Sequence, residues 1–172
     1  MQTSLFTFLA FLPQKAHNAW YMSDSFFIQK AIEKAKESVL SGGFPAGAVV
    51  VKDGKIIGEG ISIGNKLNDP TSHGEAASIR DACKNLKTSD LSGSTLYASM
   101  QPCLMCLGAS MWSSISRIVF AVPKEKVSPL YYGGSYDPST INTTFIRPIE
   151  LVHLAELEEE SLKVVKEWKK TL

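Results

Sequence analysis

The sequence predicts an α/β domain with a covered sheet, on three observations. Short β-branched runs alternate with stretches whose apolar residues recur at helical spacing. Asp53-Gly54 joins two of those runs as a hairpin turn does. The 172 residues are 44% hydrophobic and 20% charged, which suits one domain with a real core and excludes a disordered chain or a coiled coil.

The elements follow in order. Phe27, Ile28, Ala31, Ile32, Ala35, Val39 and Leu40 predict a helix over Phe26 to Leu40, capped by Ser23, Asp24 or Ser25 and ended by Gly42 and Gly43. Ala46 to Val51 and Lys55 to Ile63 read as the two hairpin strands. Asn68, Asp69 and Pro70 make a turn, after which Thr71 or Ser72 is expected to cap a helix reaching about Leu86. Thr95 to Ser99 reads as a buried strand, Pro102 opens a helix over about Cys103 to Ser113, and Arg117 to Val122 reads as another strand. The Gly/Pro/Tyr/Asn-rich stretch from Pro129 to Pro148 is expected to be irregular, Ile149 to Val152 a short edge strand, and Glu156 to Lys169 a final helix with Leu157, Leu162, Val165 and Trp168 on one face. Trp168 reads as a packing anchor.

The apolar run Leu5 to Leu12 has no Lys or Arg before it and meets Pro13 and Lys15 at once, unlike a secretory signal. Residues 1–22 are therefore expected to be an extension, with the domain spanning 23–172. No run of about 18 apolar residues is present, so no membrane partner is expected. The net charge of +1 gives no electrostatic case for a polyanionic partner. Three cysteines, an odd number without disulfide-dense spacing, fit a reducing, cytoplasmic setting and metal or redox use.

The chemistry lies in two short stretches. PTSHGEAASIR carries His73 and Glu75 two apart, and SMQPCLMCLGASMW carries Cys103 and Cys106 three apart behind Pro102. Residues three apart share a helix face. In a first turn, the dipole and free N–H groups favour thiolates. At a helix tip, His73 and Glu75 can reach one point beyond the helix end. Structural zinc sites use four protein ligands, whereas catalytic ones use three and leave a position for water. Cys83 reads as a small core residue, and neither His17 nor His153 is an obvious fourth ligand, so an open site is favoured. Glu75 adds a carboxylate able to take a proton from the metal's water, for which a structural site has no use. A thioredoxin-type reading of the C-x-x-C explains neither His73 nor Glu75.

In this order the residues match H-x-E…P-C-x-x-C, the signature of zinc deaminases acting on cytosine or adenine rings. From about Phe26 to Val122 the chain resembles the cytidine deaminase-like superfamily. Within it the chain is most similar to bacterial guanine deaminases and related nucleoside deaminases, on NDPTSHGE, IRDAC, LYASMQPCLMCLGA and Trp112. The resemblance implies a three-layer α/β/α sandwich with a mixed, about five-stranded sheet, usually dimeric. It implies zinc (Zn2+) held by His73, Cys103 and Cys106 with water fourth. Glu75 would move a proton from that water to a ring nitrogen and later to the leaving ammonia, while hydroxide attacks the amino-bearing carbon. Phe44, Pro45, Ala46 and Gly47 would wall the pocket.

Two departures bear on substrate. Many relatives place a base-binding Asn near the end of the second strand; Ser62 stands there, with Asn65 three residues on. Relatives often carry Glu before the Pro-Cys, where this chain has Gln101. A free purine such as guanine is the expected substrate, against adenosine in tRNA or single-stranded DNA, or cytosine. Polynucleotides are disfavoured because the last helix mixes Glu158, Glu159 and Glu160 with Lys163, Lys166, Lys169 and Lys170 instead of forming a basic arm. Trp112 stands as a pocket residue, weighed against burial in the core. Tyr131, Tyr132, Tyr136 and Phe145 would close over a ligand or pack against a neighbouring subunit.

Overall fold

The computed structural model describes residues 23–171; the expected extension lies outside them. Ser23 caps α1 (Asp24–Leu40), its hydroxyl accepting the Phe26 N–H. The hairpin of β1 (Phe44–Lys52) and β2 (Lys55–Ser62) turns through Asp53 and Gly54, both at positive φ as such a turn requires. A short α2 (Gly64–Leu67) precedes α3 (Gly74–Leu86). Then come β3 (Thr95–Met100), α4 (Leu104–Trp112) and β4 (Arg117–Val122). After a 3-10 turn over Pro129–Tyr132 follow α5 (Pro138–Asn142), β5 (Glu150–His153) and α6 (Glu158–Lys169).

The sheet order is β2-β1-β3-β4-β5, antiparallel through β3 and parallel from β3 to β5. The central strands are buried on both faces, and alternate residues go to opposite layers. Ala48, Val50, Leu96, Ala98, Ile118 and Phe120 pack with Ile79 and Ala82 of α3 and Leu107 of α4. Val49, Val51, Tyr97, Val119 and Ala121 pack with Phe27, Ile28 and Ile32 of α1 and Val164 of α6. The fold is the expected three-layer sandwich with a mixed five-stranded sheet.

Local expectations differ at several places. Neither Thr71 nor Ser72 caps α3: His73 is the N-cap, without a side-chain bond to the helix. Asp69 instead accepts both the N–H and the hydroxyl of Thr71, at 2.9 and 2.6 Å, and Ser72 is buried. The segment 129–148 is more ordered than its composition implies. Asp137 caps α5 by accepting the Ser139 and Thr140 N–H groups, with Pro138 at the first helical position. Asn142 then exchanges two hydrogen bonds with the Ile149 backbone, delivering the chain to β5. β1 begins at Phe44, two residues before the expected Ala46, and α6 at Glu158, after a 3-10 turn over Ala155–Leu157.

Candidate functional site

The tip of α3 is pressed against the backbone of β1. A Cβ at Gly74 would lie 2.8 Å from Gly47 Cα and 3.2 Å from the Ala46 carbonyl oxygen, so only glycine fits between His73 and Glu75. The chain leaving β3 is held where Gln101 N–H donates to Val122 O, and Cys103 becomes the N-cap of α4. Both helix tips therefore meet at one end of the sheet.

There, three donor atoms form a near-equilateral triangle. His73 Nδ1 lies 3.6 Å from Cys103 Sγ and 3.6 Å from Cys106 Sγ, and the two sulfurs are 3.7 Å apart. A tetrahedral zinc with Zn–S of about 2.3 Å and Zn–N of about 2.0–2.1 Å requires edges of about 3.8 Å between sulfurs and about 3.6 Å from nitrogen to sulfur. The donor set thus fits zinc in kind and in size. Among the described residues, no fourth His, Cys, Asp or Glu joins the group.

Glu75 is 6% exposed and is not one of the three. Burial raises its carboxyl from the ordinary 4.5 to about 7, and the Cys103 charge adds to the shift. Cys103 is lowered to about 4, first by the hydrogen bond it accepts from Cys106, and also by the one it accepts from His73. Cys106 is raised as the donor of that bond, while Cys103 raises His73. Without a cation the two sulfurs share one proton, because adjacent thiolates repel.

A cavity of about 500 Å³ opens beside this cluster. Phe44, Ala46, Ser62 and Asn65 are among its lining residues, with His73, Glu75 and Cys103; Pro45 and Gly47 are not. Asn65 Nδ2 is committed to the Gly42 carbonyl at 3.1 Å, whereas the Ser62 side chain makes no hydrogen bond among the described residues. Trp112 does not belong to the wall. It ends α4 at 83% exposure, two residues and so about 200° round the helix from buried Ser110. Neither the pocket nor the core holds it. Tyr131 and Tyr132 line the cavity; Tyr136 accepts the Leu104 N–H at 2.9 Å, and Phe145 packs on the core cluster below α3 and α4.

Sequence reasoning placed Trp168 in packing alone, yet it forms part of the cavity wall. Its ring meets Phe44 at 5.3 Å and Tyr131 at 6.1 Å, while Phe44 and Tyr131 are 5.0 Å apart, all near-perpendicular. The face shared with Leu162 and Val165 signals burial of α6, but not which layer or cavity that face meets.

The profile of the cytidine and deoxycytidylate deaminase zinc-binding region matches residues 22–122, spanning both halves of the cluster. The chain belongs to this family. It is a zinc-dependent deaminase, a hydrolase whose three-ligand centre matches the family's metal. The guanine deaminase of Bacillus subtilis is 38% identical over 130 residues, 75% of this chain and 81% of that one. The tRNA-specific adenosine deaminase of Aquifex aeolicus is 36% identical over 105 residues, 61% of this chain and 70% of that one. A solved tRNA A34 deaminase superposes with a TM-score of 0.70 at 30% identity, covering 81% of this chain and 99% of that one.

Proposed function

We propose that this deaminase hydrolyses the amino group from a free purine base of the guanine type. The observation that carries the reading is the aromatic wall of Phe44, Tyr131 and Trp168, closing a cavity of about 500 Å³ over Glu75 and the metal-ligand cluster. That volume suits a small ligand, and the rings suit a flat heteroaromatic one. The guanine deaminase relative, matched over 75% of the chain, supports the same substrate class.

His73, Cys103 and Cys106 hold the zinc in this reading. Bound there, zinc acts as a Lewis acid and lowers the pKa of a coordinated water to about 7. Glu75, buried and poised at about 7, would accept one proton from the attacking water and pass it to a ring nitrogen of the base, then take the second from the hydroxyl of the adduct as the carbonyl forms and the C–N bond breaks, and give it to the departing amine. Phe44 and Ala46 wall the base, and Ser62 and Asn65, which also line the cavity, would supply its polar contacts.

Adenosine in tRNA is the competing substrate, since tRNA deaminases match at similar identity. Charge weighs against it: on and around α6, Lys166 pairs with Glu159, Lys163 with Glu167 and Lys36 with Glu160, so that helix mixes charges instead of presenting a basic arm. We also infer a homodimer through the outward face of α4, where Leu104, Met105, Gly108, Met111 and Trp112 are all apolar and at least partly exposed. Three unpaired cysteines suit a reducing, cytoplasmic compartment. Residues 23–172 form the proposed catalytic unit. The deciding assay is ammonia release by zinc-loaded protein from guanine, adenine, cytosine, their nucleosides, a tRNA stem-loop and single-stranded DNA. Guanine is expected to react fastest; release from the polynucleotides alone overturns the proposal.

A further inference from the structure

Gln101 directly follows β3, two residues before the first metal-ligating cysteine, and all but one of its hydrogen-bonding groups are engaged. Its N–H donates to Val122 O at 2.8 Å, and its carbonyl accepts from the Tyr132 hydroxyl at 2.8 Å. Its side-chain Oε1 accepts the Lys124 N–H at 2.9 Å. That last partner is a donor, so the amide oxygen must face it, and the nitrogen must face the other way. Nε2 has no acceptor among the described residues. The side chain is 6% exposed and borders the cavity, yet Nε2 is not sealed off; Ser94 Oγ alone is both enclosed and without a partner among the described residues. A buried amide with one free N–H₂ at a cavity wall is a donor waiting for a ligand atom.

We propose that Gln101 is a specificity-determining residue, its Nε2 donating to an acceptor on the substrate ring, either an oxo group or a ring nitrogen. A ligand that displaces cavity water without accepting from Nε2 leaves a buried donor unpaired and binds less well. A glutamate here would keep the bond to Lys124 and turn the cavity-facing atom from donor to acceptor. Gln101 therefore fixes one position of the hydrogen-bonding pattern that the site accepts. This rests on the purine-deaminase reading.

Gln101→Glu changes only that one atom's role. Wild type and variant are loaded with zinc, their metal content is measured, and kcat/KM is taken for guanine and for 2,6-diaminopurine, which bears an amine where guanine bears its oxo group. If the acceptor is the guanine oxygen, the variant loses guanine turnover by about 10²-fold or more and gains on 2,6-diaminopurine; if it is a ring nitrogen, both fall to that extent. Values for both purines within about twofold of wild type, with zinc retained, overturn the proposal and leave the deaminase reading standing. A wild-type protein that deaminates neither purine overturns both. Should the variant fail to hold zinc, 15N-glutamine labelling decides, since the chain has only Gln2, Gln14, Gln29 and Gln101. In Glu75→Ala protein, which adds no glutamine, the Gln101 side-chain amide, assigned through its contact with the Lys124 N–H, is expected to shift when guanine is added. Gln29, held by Glu160, is expected to stay put. An unmoved Gln101 amide overturns the proposal.

Discussion

Trp168, near the end of the last helix, meets Phe44, the first residue of β1, with ring centroids 5.3 Å apart and planes at 71°. The contact closes the cavity with a residue from the far end of the fold, so α6 takes part in the site as well as in covering the sheet.

Trp168→Ala is expected to raise KM more than it lowers kcat, because each aromatic contact contributes about 0.5–1.5 kcal/mol beyond its buried area. Trp168→Phe should recover most of the loss. Steady-state kinetics on both variants checks this; KM values equal to wild type would mean that the wall does not touch substrate.

Cys103→Ala and Cys106→Ala should each lose bound zinc by elemental analysis and unfold at lower temperature, since the triangle of donors closes only with all three atoms. Cys83→Ala should keep its metal, because Cys83 only packs against the core of α3 and the sheet.

Glu75→Gln should keep zinc and lose turnover by about 10²–10⁴-fold, the usual scale of a proton-transfer group. In the metal-free protein the same variant tests burial. A carboxyl raised from 4.5 to about 7 stabilises the fold below pH 4.5, and that contribution is lost as pH rises through about 7. Cys103, lowered to about 4, acts in the opposite direction over that window. Wild type should therefore be nearly level between pH 5 and 6.5, whereas Glu75→Gln gains stability as pH rises; above that range the raised His73 takes stability away from both. Thermal melts of the two chelated proteins from pH 5 to 6.5 measure the difference, and parallel curves would contradict the raised carboxyl.

Gly74→Ala places a methyl 2.8 Å from Gly47 Cα, backbone against backbone. Overpacking of this kind costs about 1–3 kcal/mol. The tip of α3 must retreat and carry His73 with it, so zinc affinity should fall by at least about tenfold, as for changes that displace a ligand's support. Competition with a chromogenic chelator reads the affinity, and an unchanged value would show that the tip has room to spare.

Much of this was written in the chain. The strands show as β-branched runs because the sheet is covered on both faces, and Asp53-Gly54 marks its hairpin by the positive φ both residues adopt. His73, Glu75, Cys103 and Cys106 were legible because metal chemistry restricts residue type and local spacing together. Asp137-Pro138 was an overlooked signal, a cap followed by a first-turn proline inside a segment whose glycines suggested disorder of form.

What the sequence determined by itself was the order of elements, the donor set and the family to which they point, all properties of residue type and short-range period. Only the tertiary structure decided that Trp112 faces outward, that Trp168 walls the cavity, and that Gln101 commits its side-chain oxygen to the Lys124 N–H. Each of those depends on which layer a helix face meets or which distant backbone group is nearby, such as the Lys124 N–H. Long-range packing sets these outcomes, and no local pattern encodes them.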